Sequence, residues 1–183
     1  MDNIATDNRN FYEIVHTPAT QIMEHNLDGV MSWTHNVVRG RLADDARRPV
    51  LDDGTVNGPH TFSSLEILEV YMGDLEVGDT ITLAEPYFIS DGTLFTYHNY
   101  LPSVPNQEYI FFLEDSITNP VHDVYYGIHF LSMGHRARFP IPVSLNENVA
   151  MHGLTARELS LGSDHNFEIY LSIWQEVIDT FLY

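Results

Sequence analysis

Ten histidines, 26 acidic residues and no cysteine bound the chemistry open to this 183-residue chain. Without cysteine there is no disulfide, no thiolate metal site and no thiol nucleophile. The histidines are scattered. No two stand four apart, as a helical zinc site needs, and H-E-x-x-H is absent. His122-Asp123 and His129 fall on or near one expected strand, but a separation of seven puts them on opposite faces. His129 and His135 could converge across a turn and, with nearby carboxylates, support a metal-assisted hydrolase; a surface or core position explains each histidine better. Nucleophilic catalysis has no G-x-S-x-G elbow, and Ser63-Ser64 falls in an expected strand with no base implied nearby. The acidic pairs Asp44-Asp45, Asp52-Asp53 and Glu66 with Glu69 are what chance supplies in so acidic a chain. The segment Asp44–Gly54 lacks the ligand ladder of a calcium loop, which leaves only loose calcium coordination at Asp52-Asp53 open. No phosphate-cradling glycine loop is present. No catalytic residue, metal site or cofactor is therefore assigned.

Binding has a better foothold. Tyr87, Tyr97, His98 and Tyr100, with Phe88 and Phe95, lie in one connection, and aromatics with polar tips on a loop suit recognition of a protein, glycan or small-molecule ligand. The alternative is that this aromatic loop folds over one end of the molecule and plugs it. Arg136 and Arg138 alternate on an expected extended edge, where pairing with carboxylates of the same chain is the simpler role.

Charge excludes some partners. The net charge is −18, and all eight basic residues are Arg. Such a field repels nucleic-acid phosphates and anionic lipid heads, which are held mainly by Lys and Arg. Solubility, in a salty or acidic setting, accounts for the acidity. Full protonation of the ten histidines would carry the charge from −18 toward −8. The first ten residues are polar, with no leader-like apolar stretch, so the expectation is either a cytoplasmic protein or a leader upstream of Met1. No run of about 18 apolar residues exists to span a membrane.

These residues need elements to hold them. Residues 1–26 read as a flexible or extended segment with helical character near 19–25, followed by a single domain over 27–183. Asp28 is the expected N-cap of a helical turn through Trp33. Asn36–Leu42 reads as a strand with Val38, Gly40 and Leu42 on one face and Val37, Arg39 and Arg41 on the other. Residues 43–60 form a long loop. Thr61–Tyr71 is rich in β-formers, but its alternation changes phase between Ile67 and Leu68, which predicts a bulged strand. A turn bracketed by Gly73-Asp74 and Gly78-Asp79 leads into Thr80–Leu83, and Pro86 ends the pairing, so 61–83 is a hairpin. Residues 87–105 read as an aromatic surface loop. Tyr109–Leu113 is an uninterrupted apolar strand, Val124–Leu131 another, and Arg136–Val143 an edge broken by Pro140 and Pro142.

The chain ends in a helix over 164–182, capped by Ser163 or Asp164. Phe167, Tyr170, Leu171, Trp174, Val177, Ile178 and Phe181 recur at helical spacing. The apolar arc is wide enough for deep packing on a sheet, or for a homo-oligomer interface. The sum is a mainly β (α+β) fold: a small, partly closed antiparallel β-barrel, OB-like, with a C-terminal amphipathic helix.

The stretches Val37–Leu42, Leu65–Leu83 (LEILEVYMGDLEVGDTITL) and Glu108–Glu114 (EYIFFLE) resemble a group of uncharacterised small domains on secreted proteins and lipoproteins of Gram-positive bacteria. In those domains V-x-G-x-V is followed by E-V-x-K-G-D-L-x-V-G-D-x-I and later E-Y-L-L-F-L; Met72 stands here where Lys is usual. The match covers roughly the middle half of the chain, through motifs that are turns and strands. The resemblance implies an extracellular or cell-surface barrel-like domain with no assigned activity.

Overall fold

The computed structural model describes residues 13–17, 24–51, 54–56, 58–97, 100–118, 124–141 and 164–183. It is mainly β, with a curled half-barrel sheet and a C-terminal helix. In chain order the elements are β1 (Glu13–Thr17), α1 (Leu27–Ser32), β2 (Asn36–Leu42), β3 (Thr61–Met72), β4 (Thr80–Glu85), β5 (Tyr87–Ser90), β6 (Thr93–Tyr97), β7 (Glu108–Leu113), β8 (Ile128–Phe130), a 3₁₀ turn (Gly134–Ala137), β9 (Arg138–Pro140) and α2 (Asp164–Phe181).

The large sheet runs β8-β4-β3-β2-β7-β9, antiparallel throughout except for β4 with β8. Its curl comes from β3. Arg39 pairs with Glu69 and Gly40 with Ile67, so Leu68 is an extra residue and the strand bulges where the alternation changes phase. The curl brings β8 back toward β7. Leu131, directly after β8, bridges Leu113 at the end of β7. Glu114 N–H donates to Phe130 C=O at 2.9 Å and Ser132 N–H to Phe112 C=O at 3.0 Å.

Strand β7 and the start of β2 are covered on both faces. Val38, Leu42, Leu65, Leu83 and Phe111 are buried in the core. Val37 pairs with Phe112 in register, and the Phe181 ring of α2 lies 6.0 Å from Phe112 and 5.0 Å from Tyr71. Two-sided burial is why β7 is apolar at every position after Glu108. It also buries Val37, while Arg39 and Arg41 on the same face stay partly exposed beyond the helix.

Helix α2 buries Tyr170, Ile173, Trp174, Val177 and Ile178, each side chain contributing about 1.5–3 kcal/mol. Its polar atoms fix the docking. Tyr170 Oη donates to Arg138 C=O at 3.0 Å, Trp174 Nε1–H to Pro140 C=O at 3.0 Å, and the Glu176 carboxylate accepts from Leu27 N–H at 3.0 Å. Ile169, Leu171, Phe181 and Leu182 pack half-buried against the same core, so intrachain packing accounts for the wide apolar arc. The expected cap at Ser163 or Asp164 lies outside the side chains described.

Four expectations are corrected. Residues 87–97 are a second hairpin, not a loop: β5 and β6 pair antiparallel, and β1 adds to β6 in parallel. Asp91 and Gly92 at the tip have φ of 49° and 74°, the two left-handed positions of a tight hairpin turn that Asp-Gly favours. Val124–Leu131 is not one strand, because Val124–Tyr125 is a 3₁₀ turn and Gly127 has φ +71°; only Ile128–Phe130 pairs. Arg136 belongs to the 3₁₀ turn, so the extended edge begins at Arg138. Asn26 caps α1, its side chain accepting from Gly29 N–H at 2.8 Å, which leaves Asp28 in the first turn.

Candidate functional site

The aromatic residues expected to bind are positioned by β5, β6 and the segment after them. Tyr87 and Tyr100 are both buried, with rings stacked 6.5 Å apart. Tyr97 is half-buried on β6, and His98 lies outside the described residues. Tyr100 therefore cannot join an exposed aromatic surface. It belongs to a buried polar knot at the end of β4. Tyr100 Oη donates to Glu85 Oε1 at 2.5 Å, as do Ser103 Oγ at 2.6 Å and Ser103 N–H at 3.0 Å. The Arg138 guanidinium lies 3.5 Å from the same oxygen, donates to Tyr100 Oη at 2.8 Å, Ser103 Oγ at 2.7 Å and Leu101 C=O at 3.0 Å, and sits over the Tyr100 ring at 4.6 Å.

Burial pushes the Tyr100 hydroxyl pKa well up, with the Glu85 charge and hydrogen bond adding to it. Burial disfavours the Arg138 cation, yet Tyr100, Tyr109 and Glu85 outweigh that and hold its pKa above the ordinary arginine value. Each charge has its counter-charge and hydrogen bonds, the condition for burying an ion pair at all. This knot fastens segment 100–104 to the sheet. It is structural, and Arg138 pairs within the chain as the sequence suggested.

Among the described residues the histidines do not gather. His129 is buried on β8, held neutral by burial against the opposing pull of a hydrogen bond to the Glu114 backbone and of Asp115; its Nδ1 has no partner. The His135 side chain lies outside those described. Among the described residues no three His, Asp or Glu side chains converge to hold a metal ion. The hydrolase reading has no ligand set there. Asp52 and Asp53 fall outside the described residues. Ser63 is buried in β3, and Ser64 bonds Asp45 through both its N–H, at 2.9 Å, and its Oγ, at 2.5 Å.

A different cluster forms where the loop from β2 to β3 meets the loop from β7 to β8. Arg47 exchanges backbone hydrogen bonds with Phe62, which lays the first loop along the start of β3. Val50 bridges Val56 near its tip, and both side chains are exposed. From the second loop Tyr125 packs edge-on to Phe62 at 5.7 Å and to His60 at 6.0 Å; Phe130 lies edge-on to His60 at 5.2 Å. Phe62, Ala84 and Ile128 form the floor of this cluster.

Burial lowers the His60 pKa from 6.5 to about 4, so the ring is neutral, and its Nδ1 has no hydrogen-bond partner. At Gly58, with φ +77°, a Cβ would collide with the Tyr125 hydroxyl, so only glycine lets the two loops approach this closely. Arg48 donates to Gly58 C=O at 3.1 Å and stacks over Phe88 at 4.4 Å, and Phe88 in turn stacks on Phe95 at 4.7 Å. Neighbouring Tyr126 is well exposed.

No protein-family model and no curated protein sequence matches the chain. Its chemistry must be read from its own residues.

Arg48, His60 and Tyr125 were not among the residues the sequence singled out. The one available signal was Arg48 itself, an arginine followed by Pro49 in a very acidic chain. Their convergence depends on the Leu113–Leu131 contact, which joins positions no local pattern links.

Proposed function

We propose that this chain is a non-catalytic, extracytoplasmic or cell-surface binding domain, built on a small OB-like barrel, that recognises a protein, glycan or small ligand through loops at one barrel end. The barrel reading is supported by the strand order. Strands β2, β3 and β4 are antiparallel neighbours, β8 runs parallel to β4, and Leu131 after β8 bridges back to β7, which itself pairs with β2. In OB barrels the loop joining the first two strands and the loop joining the last two make the recognition surface. Here those are the loops spanning 43–60 and 114–127.

The observation that carries the reading is their convergence: Tyr125 meets Phe62 and His60, with exposed Val50, Val56 and Tyr126 on the same two loops. Oligonucleotides, a common OB ligand, are disfavoured by the charge of −18 and the lack of Lys. That leaves glycans, small molecules and protein surfaces. The resemblance of 37–42, 65–83 and 108–114 to domains of secreted proteins supports the location.

The test is a thermal-shift screen of oligosaccharides, short peptides and small metabolites. A ligand of this end stabilises the wild type, loses that effect in Tyr126→Ala or Val56→Ser, and keeps it in Tyr97→Ala. Ligands whose stabilisation depends on Tyr97 and is indifferent to both loops would overturn the proposed site.

A further inference from the structure

Hydrogen-bonding capacity at the meeting of the two loops is unmet, and in one sense. Four of the six described arginines reach a carboxylate: Arg39 binds Glu108, Arg41 Glu66, Arg47 Asp45 and Arg138 Glu85. Arg48 has no described carboxylate within ion-pair distance. Its contacts are the Gly58 carbonyl and the Phe88 face, and its buried Nε–H has no acceptor. On its own loop, Asp45 is already engaged by Ser64 and Arg47.

Two further groups lie at the same glycine. The Tyr125 hydroxyl rests against Gly58 and gives its hydrogen to no described residue, and the buried His60 Nδ1 is unpartnered. A buried or half-buried donor without an acceptor costs about 1–3 kcal/mol, and a ligand's acceptor is one way to offset it.

We propose that Arg48, Tyr125 and His60 form the anchor of a carboxylate-binding site, with a small-molecule monocarboxylate as its ligand. This rests on the reading of the loop end as a binding surface. The planar guanidinium fork matches a carboxylate, and one cation matches one negative charge. The field of a chain at −18 penalises a dianion such as phosphate more than a monoanion. The neutral His60 ring, packed edge-on to Tyr125, backs that residue without adding a charge. Phe88 under the guanidinium, and exposed Val50, Val56 and Tyr126 on the same two loops, suit a partly apolar body.

The experiment is a ¹H–¹⁵N titration of the full chain with four probes: phenylacetate, glucuronate and their neutral counterparts phenylacetamide and glucose, with inorganic phosphate as a fifth arm. The expected result is saturable shifts at residues 48, 58–60 and 125–126 with at least one acid, at a Kd at least ten-fold below its neutral counterpart. Arg48→Gln weakens that binding at least ten-fold, Arg48→Lys less, and Tyr125→Phe by an intermediate factor, with spectra otherwise unchanged. Which acid binds tells an aryl acid from a sugar acid, and preference for phosphate overturns the monocarboxylate assignment. If neutral probes move the same resonances as tightly and Arg48→Gln changes nothing, the carboxylate assignment falls and the binding surface stands. If no probe moves either loop, the carboxylate site is refuted and Tyr126 and Val56 remain to be tested by the wider screen.

Discussion

Burial of a neutral His60 makes the loop junction a source of pH-dependent stability. The folded ring has a pKa of about 4 against 6.5 when free, because burial beside Tyr125 and Phe130 disfavours the imidazolium. Below 6.5 the unfolded chain takes up a proton that the folded chain refuses. The benefit of burying the neutral ring is therefore complete above pH 6.5, erodes as pH falls toward 4, and is constant below that. At 1.36 kcal/mol per pKa unit the loss amounts to about 3 kcal/mol over that window, as an upper bound for a site that relaxes or admits water.

The perturbation is His60→Phe, which keeps an aromatic ring and removes the titration. Urea unfolding of both proteins at pH 7, 6, 5 and 4 gives the stability difference between them at each pH. Subtracting the two cancels the other titrating groups, including His129, whose pKa burial also lowers. The difference should move by about 3 kcal/mol in favour of His60→Phe between pH 7 and 4. A difference that stays flat, or a His60 imidazole resonance titrating near 6.5 in the folded protein, would refute the buried-neutral geometry.

Three other outcomes follow from named contacts. Arg138→Met leaves Glu85 buried without its counter-charge and should cost about 3–5 kcal/mol in urea unfolding, much of it recovered in the double variant with Glu85→Gln. Trp174→Ala removes a buried indole and its hydrogen bond to Pro140 and should cost about 3–5 kcal/mol by the same assay, with no change in oligomeric state by light scattering. Gly58→Ala meets both a positive φ and the Tyr125 hydroxyl; it should cost roughly 1 kcal/mol or more and displace the Tyr125 ring resonances, while Phe112 and Phe139 stay put.

What could be read in advance followed the range of the interactions. Strand β7 is apolar from Tyr109 to Leu113 and α2 repeats its apolar residues at helical spacing, so each was recognisable from a local window. The bulge at Leu68 left its mark as a phase change because one inserted residue flips every later side chain. The β5–β6 hairpin had its signal too, Asp91-Gly92, but the aromatic crowding around it suggested a loop. β8 was overextended because Tyr125 and Tyr126 look like strand residues, whereas the chain turns at Gly127. The loop junction was invisible for a different reason. Arg48, His60 and Tyr125 meet only after β3 curls and Leu131 reaches Leu113, and nothing in the neighbourhood of any one residue encodes that distance. Tyr100 misled in the opposite direction: an aromatic with a polar tip in an expected loop suggested the surface, but Glu85, Ser103 and Arg138 supply its hydroxyl with partners inside.

Two loops, far apart in sequence, lie against each other at Gly58. Nuclear Overhauser contacts of the Tyr125 ring protons test this directly. The structure predicts cross-peaks to the Gly58 Hα protons and to the His60 and Phe62 rings. A Tyr125 ring with contacts only to its own loop would contradict the junction and every functional conclusion drawn from it.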